Sequence, residues 1–192
     1  VKTGNSYSTD PGGSAWNYLA DDLPKDVTIL QANATVVYKD GTQIDINNGL
    51  YNHHLLVIDV SKSTPTIAIY PSRYGVQPPR MSMIRGSSED KGGAFFSTKD
   101  GMFDSGYYVG KSDRTVMSGD IVNYTNEEKE VYALTDLQYL EGKQPGFMEA
   151  VWSVGQCDGQ IAFVRPPPGQ KKFTLKSRSM KVVQDGYFLA FS

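Results

Sequence analysis

The chain has 192 residues, 39% hydrophobic and 21% charged, a balance that suits one folded domain able to bury a core without help from disulfides or metal. Its 19 basic and 21 acidic residues give a net charge of −2, which offers no electrostatic pull on nucleic acid. No run approaches the ~18 uninterrupted apolar residues of a membrane-crossing helix, so no membrane span is expected.

In chain order, residues 1–24 read as an extended N-terminal arm, inside which 14–22 is the one stretch with the look of a short helix. Val27, Ile29, Ala34, Val36 and Val37 mark a first strong strand, closed by the turn signal Lys39-Asp40-Gly41. Residues 50–60 form a second, with Leu55 to Ile58 continuously apolar, as in a strand buried on both faces or inside a sandwich. After a short strand at 66–70, the Gly-, Pro-, Ser- and charge-rich segment 71–105 reads as a long loop. Further strands are expected at 120–124, 131–140, 147–154 and 161–164. Pro166-Pro167-Pro168-Gly169 breaks the chain before 173–175 and a last strand within 181–191. About nine strands, no internal repeat and no heptads predict an all-β fold, an antiparallel β-sandwich with a jelly-roll-like layout, as one domain over 1–192.

Few residues suggest chemistry. The only two histidines are adjacent, in Asn52-His53-His54-Leu55. Neutral imidazole is a good donor to copper or zinc, but neighbours on an ideal strand point to opposite faces. Both rings reach one ion only if the strand twists or bulges, or if they use different ring nitrogens; otherwise one ring packs inward and the other meets water. Gly110-Lys111-Ser112 lacks the earlier glycine of a phosphate loop, Ser105 standing in its place, and reads as a charged turn. Asp21-Asp22 and Glu127-Glu128 read as solvated turns, since paired catalytic acids must face each other across a bond. No Gly-x-Ser-x-Gly elbow is present. The basic cluster Lys171, Lys172, Lys176, Arg178 and Lys181 fits an exposed strand face. The single cysteine, Cys157, takes a structural or disulfide role in a secreted setting. Asn33-Ala34-Thr35 and Asn123-Tyr124-Thr125 are glycosylation sequons, which support secretion provided Asn33 and Asn123 face solvent. The start at Val1 and the stop inside an apolar run, at Ser192, suggest a chain trimmed at the front and continuing past its end.

Several segments together resemble a known family. Gly49-Leu50-Tyr51-Asn52-His53-His54-Leu55-Leu56-Val57 resembles the Tyr-x-His-His strand of the peptidylglycine α-hydroxylating and dopamine β-monooxygenases. More closely, it is similar to the secreted stress-up-regulated nodulin-like proteins of fungi and plants, which relate to that copper fold. Gly106-Tyr-Tyr-Val-Gly110 and Val131-Tyr-Ala-Leu-Thr-Asp-Leu-Gln-Tyr139 are similar to the next stretch, where the monooxygenases run from a glycine-rich segment into a Val-His-Tyr strand. The resemblance covers most of 27–191 and implies the first of two jelly-roll copper domains.

The resemblance implies copper on His53 and His54. The family's third histidine matches Gln138, a poor copper(I) ligand, so a thioether from Met117 or Met102 is the softer alternative. The relatives' second copper uses a His-x-His segment that would follow Phe191. The resemblance therefore implies an incomplete chain, inactive by itself as a monooxygenase, with the partner of Cys157 outside this segment and the rest of its own polypeptide as a partner. The competing expectation is a non-catalytic extracellular building block whose histidines bind no metal and whose exposed strand edges pair between copies.

Overall fold

The computed structural model describes residues 13–62, 68–69, 81–87, 93–98, 100–149, 167–174, 181–182 and 185–189. Its strands are β1 (Gly13–Leu19), β2 (Val27–Val37), β3 (Leu50–Asp59), β4 (Ala68–Ile69), β5 (Ser82–Ser87), β6 (Ala94–Phe95), β7 (Ser105–Val109), β8 (Thr115–Asn123), β9 (Tyr132–Glu141), β10 (Met148–Glu149) and β11 (Lys181–Val182). No α-helix occurs among the described residues; a single 3-10 turn, Ile46–Asn48, precedes β3.

Two sheets face each other. The first has the order β1-β8-β3-β5; the second has β10-β7-β2-β6, with β9 also paired to β2. A two-stranded pair, β11-β4, stands apart. All pairings are antiparallel except the short parallel β10–β7 contact. The all-β sandwich expected from the strand pattern is the observed architecture.

The core lies between the sheets because the alternating apolar residues of the longest strands face one another. Leu55 and Val57 of β3, Met117 and Ile121 of β8, and Ile84 of β5 meet Val27, Ile29, Ala32, Ala34 and Val36 of β2 and Tyr107 and Val109 of β7. Phe96 and Val131 join the same cluster. Strands of this length, buried on one face, hold their register firmly, because a one-residue slip would turn the whole apolar set to water.

Three sequence expectations change. Residues 14–22 are not a helix. Gly13–Leu19 is an edge strand whose seven residues pair continuously with β8, from Gly13 opposite Val122 to Leu19 opposite Val116. The aromatic residues Trp16 and Tyr18 favour a strand, and pairing with β8 supplies the hydrogen bonds that a lone short helix would have had to make by itself. The segment 71–105 is not all loop, since β5 and β6 lie within it and carry Ile84 and Phe96 into the core. β7, with Tyr107 and Val109 buried, was not anticipated as a strand, because Gly106 to Gly110 reads as a glycine-rich segment leading into a charged turn. Gly106 serves instead as a close-approach position, where a Cβ would meet the Thr28 side chain at 2.4 Å.

The strand expected at 161–164 and most of that at 147–154 lie outside the described residues, as does Cys157. Phe173 and Thr174 are exposed and not in a strand.

Candidate metal centre

The local fold that positions the histidines begins one turn upstream. The Asp45 side chain accepts a hydrogen bond from the Asn48 amide at 3.1 Å and caps the 3-10 turn. Gly49 follows with φ 75°, a left-handed conformation suited to glycine, and directs the chain into β3. The Tyr124 amide donates to the Gly49 carbonyl at 2.9 Å, fastening this corner to the end of β8.

β3 then runs antiparallel to β8 with one irregularity. Asn52 opposes Ile121 and His54 opposes Asp120, leaving His53 as the extra residue. This is a β-bulge, in which two residues of one strand face one residue of its partner. It removes the obstacle set by strand geometry, for the two imidazoles no longer point to opposite faces. Their Nδ1 atoms lie 3.1 Å apart in a hydrogen-bonding contact, with ring centroids separated by 5.3 Å.

Asp120 completes the group. Its Oδ2 is 3.8 Å from His53 Nδ1, and one ligand atom from each of His53, His54 and Asp120 falls within 4.8 Å of the others. Asp120 is buried, and its Oδ1 has no hydrogen-bond partner among the described residues. A buried carboxylate oxygen without a donor is costly, and a cation at this place would satisfy it.

The spacing also suits coordination. Two nitrogens each about 2.0–2.1 Å from one ion stand about 3.3 Å apart at a tetrahedral angle. His53, His54 and Asp120 thus form a group that could hold a metal ion.

Electrostatics keep the His54 donor ready. Burial holds the His54 ring below the usual imidazole pKa, the neighbouring His53 pushes it further down, and Asp120 pulls the other way. The net effect keeps His54 neutral, the form that donates a lone pair. Tyr51 packs edge-on against His53 at 5.9 Å between centroids, and Tyr124 lies 6.5 Å beyond Tyr51, so the site is walled by aromatic rings on one side. His53 remains about half exposed, which leaves the centre open to solvent.

The other ligand candidates stand elsewhere. Gln138 is on β9, beside Gln31 of β2, in the sheet that does not carry the histidines. Met117 shares β8 with Asp120, but the ladder between β1 and β8 is regular there, so residues three apart point to opposite faces. Met117 is buried in the core, whereas Asp120 projects with His54 from the other face. Met102 is an exposed residue between β6 and β7.

Sequence reasoning did not find Asp120. The available signal was the single charged residue, Asp120, inside the β-rich stretch from Val116 to Val122.

Of the two sequons, Asn33 is exposed on β2 opposite Asp136. The half-buried Asn123 ends β8, where its Oδ1 accepts from the Thr125 amide at 2.9 Å and hydroxyl at 2.7 Å. Its Nδ2 donates to the Glu127 carbonyl at 2.8 Å. Glu127 and Glu128 are exposed, as the sequence suggested. The Gly110 amide donates to Asp113 Oδ2 at 2.7 Å, closing the turn around Lys111-Ser112 between β7 and β8.

A second group of charges sits at the far end of β3. Tyr107 donates its hydroxyl to Asp59 Oδ2 at 3.1 Å, and the Lys62 ammonium lies 3.8 Å from that oxygen and 3.2 Å from Asp113. Lys62 also donates to the Tyr108 carbonyl. Because Asp59 belongs to the first sheet and Tyr107 to the second, this network ties the two layers together.

No family model, curated protein or solved structure matches the chain. No helix among the described residues is long and apolar enough to cross a membrane.

Proposed function

We propose that this β-sandwich is an extracellular copper-binding domain whose ligands are His53, His54 and Asp120. The observation that carries the reading is the bulge at His53, which turns two adjacent histidines toward one buried carboxylate. Two imidazoles and a carboxylate form a borderline-to-hard donor set, and among divalent first-row ions such a nitrogen–oxygen site ranks copper(II) highest. The resemblance of the Tyr51 to Val57 strand to the copper monooxygenases points to the same metal. The carboxylate replaces the softer thioether expected from the sequence and shifts the preference from copper(I) toward copper(II). Bound copper would supply one-electron redox chemistry. His53 and His54 would hold it through neutral nitrogens, Asp120 would balance its charge from the buried side, and Tyr51 would limit the movement of His53. In this reading the domain is a copper-binding or electron-relay unit.

The decisive measurement is metal stoichiometry after loading with copper(II) and desalting, read by elemental analysis and electron paramagnetic resonance. Wild type should retain close to one copper per chain with nitrogen hyperfine structure. His53→Ala and Asp120→Ala should each lower affinity by at least about tenfold, as loss of a metal ligand or its close support does. Wild-type protein that retains no copper, or retention unchanged in both variants, would overturn the proposal.

A further inference from the structure

Among the described residues, β9 uses only one of its edges. All of its pairing is with β2, and among the described residues no strand occupies the opposite side. The strand is ten residues long and reads Tyr-Ala-Leu-Thr-Asp-Leu-Gln-Tyr-Leu-Glu. It contains no proline and no lysine, the residues that commonly blunt an exposed edge. The ladder irregularity near Ile29 places the extra residue on β2, so β9 itself is regular. Its alternate residues Ala133, Thr135 and Leu137 are half-buried toward the core, while Tyr132, Leu134, Asp136, Gln138 and Leu140 stand exposed on the outer face. Leu134 is 49% and Leu140 37% exposed.

We propose that β9 is a self-association edge, pairing antiparallel with β9 of a second copy of this chain about a two-fold axis at Leu137. Two requirements select that register. Directly opposite residues in an antiparallel pair share a face, so a continuous sheet with both sandwiches on one side needs each residue to meet one of its own parity. Of the central registers that meet this condition, the one centred on Asp136 sets two carboxylates against each other. Centring on Leu137 instead places Leu134 opposite Leu140 and Asp136 opposite Gln138, an apolar pair and a carboxylate–amide pair, with Glu141 opposite Ala133. No like charges meet. The contact is isologous and closes on itself as a dimer. One strand edge buries less than a standard interface, so association is weak and concentration-dependent. The inference is independent of metal binding, because β9 lies in the sheet that does not carry His53 and His54.

The test combines sedimentation velocity over a concentration series with cross-linking by a short bis-maleimide. Leu134→Cys and Leu140→Cys, both at exposed positions, are purified separately and mixed, with wild type as the control for Cys157. Opposite side chains in such a pair begin about 5 Å apart, within reach of the reagent. The expected result is a reversible dimer, a 134–140 cross-link formed in the mixture and mapped by peptide mass, and several-fold weaker association in Leu134→Lys. A chain that stays monomeric at every concentration, a dimer whose cross-links map elsewhere, or association that Leu134→Lys leaves unchanged would overturn the proposal.

Discussion

Gly119 is a glycine because Trp16 lies on it. A Cβ at this position would come within 2.4 Å of the indole Cζ2 and 2.6 Å of Cε2, distances at which something must move. Trp16 in turn packs against the core from β1, so the indole closes the side of the first sheet. Replacing a strand glycine by alanine is ordinarily favourable by about 0.5–1 kcal/mol through the unfolded chain. Here the clash with a ring held in place outweighs that gain, and overpacking of this kind costs about 1–3 kcal/mol. Gly119→Ala is therefore expected to lower the urea midpoint. It should also speed amide exchange across β1, whose ladder to β8 must loosen to free the indole. The neighbouring Asp120 differs, since it stands against the histidines rather than in the core. An apolar replacement there would remove a carboxylate oxygen that has no donor among the described residues.

At the scale of the element, the bulge in β3 is the device that turns the two histidines of a dipeptide toward one carboxylate. Deleting His53 should convert Asn52-His54 into a regular ladder against Ile121 and Asp120, because the register on either side already matches. The expected variant keeps its circular dichroism spectrum and cooperative unfolding but loses copper retention. Unfolding on deletion would show instead that the extra residue is needed for the twist of β3. This bulge also marks where the sequence stops being legible. The apolar alternation in β2 and β3 and the long run in β9 are local patterns, so the sandwich could be read from them. His53 and His54 could be singled out because they are the chain's only imidazoles. Whether their rings converge depends on the register between β3 and β8, elements far apart in the chain, and no local pattern encodes that. Asp120 was hidden for the same reason. The β1 strand was misread because its identity comes from pairing with β8, which outweighs the weak propensity of a short segment.

At the scale of the whole molecule, the two sheets are joined by apolar packing and, at one end, by the buried pair of Tyr107 and Asp59. Asp59 is fully buried and accepts from Tyr107 at 3.1 Å and from the Ser61 amide at 2.9 Å. Hydrogen bonds to a charged acceptor contribute about 1.5–3 kcal/mol, so Tyr107→Phe should destabilise the fold by an amount in that range at neutral pH. The pH dependence separates this contact from simple packing loss. Burial, reinforced by the negative charge of Asp59, pushes the Tyr107 phenol well above its ordinary value of 10. A group whose folded pKa is raised contributes stability that is complete below its unfolded value and is lost as pH climbs above it, since only the unfolded chain releases the proton. Wild type should accordingly weaken as pH rises past 10, losing about 1.4 kcal/mol from this residue by pH 11, while Tyr107→Phe lacks that component. Urea titrations of the two proteins at pH 7 and pH 11 check this directly. The stability gap should narrow with pH, and a constant gap would mean that Tyr107 holds the sheets by its ring alone.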